Sequence, residues 1–230
     1  MGGENDGMMA RRGVMGVLAG AAVLGGCGIL GDEKSYRFRM TIEVETPQGL
    51  KTGSGVYEIS ARKLIALTSE EHEGSAGARG EATVVDLAGG PLFVLLKNND
   101  AGQPLHARVT AALAPGAPLN PIASYVATVG DLGGMFASAK AELPREDWPL
   151  MVRFRDIDDP KSVEKVDPEA IGVKRIVVET TGDEVTTGIE KRLGWLRDRG
   201  HLLDSDSGPT IHPTFAQTIE HSAFWQGPTK

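Results

Sequence analysis

The chain has 230 residues, 24 basic against 31 acidic side chains and a formal net charge of −7, a balance that argues against a protein gripping nucleic-acid phosphates through a concentrated basic face. Its 40% hydrophobic content suffices for a real core, its length suits one domain or two small ones, and 30 Gly with 13 Pro predict a turn-rich body. No apolar run approaches the ~18 residues of a bilayer span, and the single Cys excludes an internal disulfide or a multi-thiolate metal site.

Met8-Met9-Ala10-Arg11-Arg12 is short and basic, and Gly13 to Leu24 follows as an apolar or small-residue stretch. That stretch has the length of a signal-peptide hydrophobic region and is too short to cross a membrane as a helix. A core helix with Cys27 as a buried thiol is the competing reading, but Gly13, Gly16, Gly20 and Gly25 make a poor helix. The stretch ends in Leu24-Gly25-Gly26-Cys27, an apolar residue three before Cys and then two small ones. On these residues, 8–28 resembles a bacterial lipoprotein signal. The resemblance implies that the Cys27 thiol is diacylated, that the chain is cut just before it, and that the new amino group can be acylated too. Gly28 is not Asp, which by the same resemblance points to the outer rather than the inner membrane. Residues 1–7 are acidic and unlike a signal start, so Met8 or Met9 is the expected first residue, and Arg11-Arg12 lacks the longer twin-arginine pattern. The expected division is a signal peptide over 1–26, lipidated Cys27 with a tether to residue 34, a β-rich domain over 35–200 and a polar, partly disordered tail over 201–230.

Ser35 to Glu45 alternates without a break, with Tyr36, Phe38, Met40, Ile42 and Val44 on one face and Arg37, Arg39, Thr41, Glu43 and Glu45 on the other. Period two over this length predicts a strand buried on one side and wet on the other. Thr46-Pro47-Gln48-Gly49 places Pro and Gly where a type I turn wants them, and 52–61 is the expected hairpin partner. Ser69–Gly80 reads as loop, 81–87 and 92–97 as strands, and Leu92-Phe93-Val94-Leu95-Leu96 as central and covered on both faces. A short strand is expected near 106–113, a short helix over 135–143, and strands over 150–156 and 173–181. Asp159-Pro160 and Asp167-Pro168 each put a capping Asp before a Pro suited to a first helical turn. Thr187-Gly188-Ile189-Glu190 has the spacing of a capping box, opening a helix near 188–198 with Ile189, Leu193 and Leu196 on one side and Gly200 at its end. The fold expected is mainly β, an antiparallel sandwich or curled sheet with a few short helices. The stretches 45–54, 159–163 and 186–193 make the body similar to uncharacterised proteobacterial envelope proteins, a likeness that implies one domain and no activity.

Several groups are candidates for chemistry. Asp156, Asp158 and Asp159 cluster carboxylates that a hard cation such as Ca²⁺ would accept, although the spacing is not that of an EF-hand and a solvated, capped turn accounts for it equally. Glu70-Glu71-His72-Glu73 lies in an unstructured-looking loop. His201, His212 and His221 have spacings that fit no compact zinc pattern. Gly74 to Gly80 lacks the Lys-Ser/Thr end of a phosphate cradle, and Gly53-Ser54-Gly55 is not a nucleophile elbow. In the tail, Phe215, Ile219, Phe224 and Trp225 form either a partner-binding segment or a docked or disordered end. With no assembled nucleophile and base, catalysis is not expected. No cofactor is expected either. The leading expectation is a lipid-anchored envelope protein that binds a protein partner or scaffolds an assembly. It would be held through Cys27 on the periplasmic face of the outer membrane, with an envelope protein as partner and no nucleic acid. The alternatives are a small-molecule or lipid carrier with 92–96 lining its cavity, and a metal-assisted hydrolase using Asp156, Asp158 or Asp159.

Overall fold

A computed structural model describes residues 32–64, 74–98, 103–198, 202–204 and 211–227. The signal region and Cys27 therefore lie outside the described residues, as do 65–73 with His72 and its neighbouring carboxylates. Among the described residues the fold is mainly β, with two antiparallel sheets, neither closed into a barrel, and two α-helices. In chain order the strands are β1 (Glu33–Thr46), β2 (Gly49–Lys63), β3 (Gly74–Glu81), β4 (Thr83–Val85), β5 (Leu92–Asn98), β6 (Lys140–Glu142), β7 (Pro149–Phe154), β8 (Val163–Lys165), β9 (Val173–Thr180) and β10 (Trp225–Gln226). Helices α1 (Leu105–Leu113) and α2 (Ile122–Leu132) stand between β5 and β6. One sheet has the order β10-β3-β2-β1-β9-β6 and the other β4-β5-β7-β8.

The alternation in β1 is realised residue by residue: Tyr36, Phe38, Met40, Ile42 and Val44 are buried and the residues between them are not. β1 pairs with β2 along its whole length, from Glu33 opposite Arg62 to Thr46 opposite Gly49. The tight connection at Pro47-Gln48 closes with Gly49 at φ 101°, a left-handed conformation that glycine adopts without a Cβ penalty. Phe38 stacks on Tyr57 across the pair with centroids 5.2 Å apart. β5 is covered on both faces, as its apolar run requires, and Phe93, Val94 and Leu95 are fully buried.

The sheets share one core and meet where β4 passes against β2. A Cβ on Gly53 would collide with the Val84 carbonyl, and one on Gly55 would press on the Thr83 hydroxyl. Gly53-Ser54-Gly55 therefore marks a close crossing of backbones. Helix α2 lies on β1 and β2. A hydroxyl relay ties both helices to the sheet: Tyr36 and Tyr125 each bond Thr110 Oγ1, at 2.9 and 3.0 Å, and the Thr110 and Tyr125 hydroxyls donate to the His106 carbonyl. Burial pushes the Tyr36 phenol far above its ordinary range, so it stays a neutral partner.

Four elements differ from expectation, each for a tertiary reason. Residues 74–80 form β3, because small residues fit the flat pairing with β2 that runs from Lys63–Gly74 to Glu58–Arg79. Residues 105–113 are helical, with Leu105, Val109 and Leu113 on a buried stripe at helical spacing. Residues 135–143 hold a turn and β6 rather than a helix, since Leu143 and Ala141 are drawn onto β9. The segment 188–198 consists of two 3₁₀ turns, Ile189–Lys191 and Gly194–Asp198. Its first turn is not closed by Thr187, because Gly188 occupies the cap position and a distant carboxylate takes the amides.

Candidate functional site

That carboxylate belongs to Glu81, the last residue of β3. One of its oxygens accepts the Gly188 N–H at 3.0 Å and the other the Ile189 N–H at 2.7 Å. The side chain is only 5% exposed. Burial pushes its pKa up and outweighs the two amides, which pull it down. The segment after β9 is fixed on either side of this clamp. Upstream, the Thr186 N–H donates to the Val56 carbonyl at 3.0 Å, and its hydroxyl accepts the Val56 N–H at 2.8 Å. Downstream, Arg192 grips Asp86 with two bonds of 2.6 and 2.9 Å, which hold the Asp86 carboxyl below its ordinary range. Ile189, Leu193 and Leu196 then turn inward and are buried.

The pinned segment walls a groove of about 470 Å³. Its apolar lining comes from Ile189, Leu196 and Trp225, and its charges from Glu81, Glu190 and Arg197. Trp225 sits on β10, the edge strand of the larger sheet, opposite Glu81 on β3, and remains 40% exposed. A smaller groove of about 200 Å³, lined by Gly55, Thr83, Thr186 and Arg192, shares Glu81 and Gly188. Both Glu81 oxygens are committed to main-chain amides, so the carboxylate organises the wall. The groove therefore offers an apolar surface beside an open sheet edge, with an acid and a base at hand for a bound chain.

No family model matches this chain, and neither does any curated protein or solved structure.

The four aromatic and aliphatic residues singled out in the tail are separated by the fold. Ile219 and Phe224 are buried in the common core, and Phe215 packs partly against it. Phe224 meets the rings of Phe93, Phe154 and Trp195 at 6.3, 5.8 and 5.6 Å. Only Trp225 faces outward. Phe224 closes the 3₁₀ turn His221–Ala223 and points into the core, and the chain becomes strand only at Trp225.

Two of the three clustered carboxylates, those of Asp156 and Asp159, brace their own turn. The Asp158 N–H donates to the Asp156 carboxylate at 3.1 Å and the Lys161 N–H to the Asp159 carboxylate at 2.9 Å. Ser162 Oγ donates to the Asp156 and Asp159 carbonyls. Among the described residues no three His, Cys, Asp or Glu side chains are grouped to hold a metal ion. His212 is exposed, whereas His221 packs on Trp195 at 5.4 Å. Glu81 is the residue that sequence reasoning missed. Thr187 and Glu190 gave a local capping signal that masked it, and no local pattern reports a bond between residues 107 apart in sequence.

Proposed function

We propose that the protein is a lipid-anchored envelope lipoprotein whose β body is a non-catalytic binding module. The groove beside β10 receives an extended, partly apolar segment of a protein partner. The observation that carries this reading is Trp225, large and half-exposed on an edge strand and set against the apolar wall that Glu81 holds in place. Tryptophan contributes disproportionately where a partner closes over it. An edge strand can accept a further strand through its main-chain groups while neighbouring pockets choose the side chains. The anchor is the acyl modification of Cys27 expected from the lipoprotein-like signal; two or more acyl chains hold a protein stably at a membrane where one does not. Among the described residues no helix is long and apolar enough to cross a membrane.

The test is in-cell photo-cross-linking from an unnatural amino acid at position 225, with a second probe at Gln48 as control. A discrete protein captured from 225 and not from 48 supports the reading. No adduct from 225 with the protein at its natural level overturns the binding role. The anchor is tested separately by Cys27→Ser: the variant is expected to keep its fold and leave the membrane fraction, and full membrane retention sinks the anchor.

A further inference from the structure

Met135 and Phe136 are 91% and 93% exposed, side by side, in a mainly β body that otherwise buries its aromatics well. They are the two central residues of a turn closed by a bond from the Ala137 N–H to the Gly134 carbonyl at 2.9 Å. Central turn positions point away from the chain on both sides, so the pair stands out as a tip. Its base is firm. On one side the Gly133 N–H closes α2 onto the Val129 carbonyl at 3.1 Å. On the other, the Ala139 N–H bonds the Thr180 hydroxyl, and the Thr180 N–H bonds the Ala139 carbonyl, both at 2.9 Å. A rigid base carrying two fully exposed apolar side chains is costly in water unless they have somewhere to go.

The place of the tip in the fold says where. Gly133 lies against the Ser35 backbone so closely that a Cβ there would collide with the Ser35 carbonyl. Ser35, Arg37, Gly133 and Met135 line one groove. The tip thus sits beside the first turns of β1, where the chain joins the fold: the Asp32 carbonyl already accepts the Lys63 N–H at 3.0 Å. Asp32 follows Cys27 by five positions, and that length fully extended reaches at most about 18 Å. A bilayer holding Cys27 therefore holds this end of the body within the same distance. Two cations beside the tip are paired within the protein, Lys34 with Asp32 and Lys140 with Glu179.

We infer that Met135 and Phe136 insert into the lipid surface next to the Cys27 anchor and set the orientation of the domain on the membrane. The inference rests on the anchor proposed above and adds to it a second, protein-borne contact. Acyl chains retain the protein but leave it free to swing; a second point of contact fixes its tilt. Glu81 lies level with Val56 and Arg39, four residues along β1 from the Ser35 backbone that meets the base of the tip, which is about 13 Å at the rise of a strand. With the tip down, the Glu81 end of the groove is raised above the tip's base by about that height.

The test uses the full chain, purified after expression with its own signal and reconstituted in phosphatidylethanolamine–phosphatidylglycerol vesicles. Its only native thiol is Cys27, so Phe136→Cys or Gln48→Cys introduces a single site for an environment-sensitive fluorophore. Position 48 is the control at the far end of the 14-residue β1. Quencher-bearing lipids are expected to remove roughly half or more of the emission at 136, the depth of an interfacial side chain being about 5–10 Å, and to leave 48 unchanged. Mass spectrometry of the Cys27 peptide is read on the same sample. Acylated Cys27 with the 136 probe in water overturns this inference alone. Unacylated Cys27 overturns the anchor and this inference with it. Shielding at 136 that grows with protein concentration at fixed lipid, without quenching, assigns the tip to a second copy and also overturns it. Met135→Ser/Phe136→Ser is expected to stay in the membrane fraction while losing its fixed orientation, read as protease access to the 46–49 turn and the 134–137 turn becoming equal.

Discussion

Glu81→Ala removes both acceptors of the Gly188 and Ile189 amides at once, and Ile189 is buried. A buried donor left without a partner costs about 1–3 kcal/mol; the Ile189 N–H is such a donor, while the part-buried Gly188 N–H can turn to water and counts for less. The substitution also relieves the burial of a carboxylate, whose raised pKa marks it as an unfavourable site for charge. The net expectation is a loss of about 1–3 kcal/mol, seen in urea as a lower midpoint with an unchanged slope. Glu81→Gln keeps one acceptor oxygen and should lose about half as much. The pH dependence has a definite sign. Because the folded pKa lies above the unfolded one, the native chain binds more protons in the window between them. The wild type is therefore most stable below the unfolded value and loses that increment as pH rises through the folded one. Gln does not titrate, so its deficit against the wild type should be largest below the ordinary glutamate value and shrink as pH rises through the raised folded one. An alanine variant within about 0.5 kcal/mol of the wild type, with unchanged hydrogen exchange at the 188 and 189 amides, would refute the clamp.

Three further outcomes follow from the same geometry. Phe224→Ala should cost about 3–5 kcal/mol, since the ring is fully buried among Phe93, Phe154 and Trp195, while Trp225→Ala should cost under about 1 kcal/mol in stability and abolish partner cross-linking; equal losses in denaturation would contradict the division of the tail. Gly53→Ala should cost about 1–3 kcal/mol by forcing β4 off the Val84 carbonyl contact, and a thermal midpoint equal to the wild type would refute the close crossing. Burial holds the His106 imidazole below its ordinary range, so the unfolded chain takes a proton first on acidification and stability falls as pH drops below about 6.5; His106→Gln should flatten that slope in urea titrations between pH 5 and 7.

The readable parts of the fold are those whose physics is local. β1 and β5 announce themselves because a half-buried strand must alternate and a doubly covered one must not. The Asp159-Pro160 turn is equally plain, and the structure gives it the expected bond from the Lys161 N–H to the Asp159 carboxylate. What was hidden depends on partners far away in sequence. Gly74 to Gly80 carries no hydrophobic period, and it becomes a strand because β2 offers it an edge where small side chains suffice. Thr187 and Glu190 satisfy a capping pattern on paper, yet Glu81 arrives from β3 with two oxygens already aimed and displaces it. Of the candidate site, Trp225 was visible as an aromatic in a polar tail. The acid behind it was not.

The Met135–Phe136 tip and Trp225 make different demands on the molecule. Met135 and Phe136 are held on a turn whose base is tied to the start of β1, so they travel with that end of the body. Trp225 is carried by β10 and β3, and its level on the sheet is set by the register that places Glu58 opposite Arg79 and Glu81 two residues beyond. A one-residue slip of β3 would reverse the facing of Glu81 and leave the 188–191 turn without its acceptors. Small residues alone specify that register weakly, and the charged pair Arg79–Glu58 at 2.9 Å, adjacent to the slip-sensitive end, supplies a preference that glycine and alanine lack. The clamp thus depends on β3 being held in place from both ends, by Lys63–Gly74 pairing at its start and by Trp225–Glu81 pairing at the groove. A partner strand added along β10 would extend the second of these and so tighten the same register that builds its own binding site.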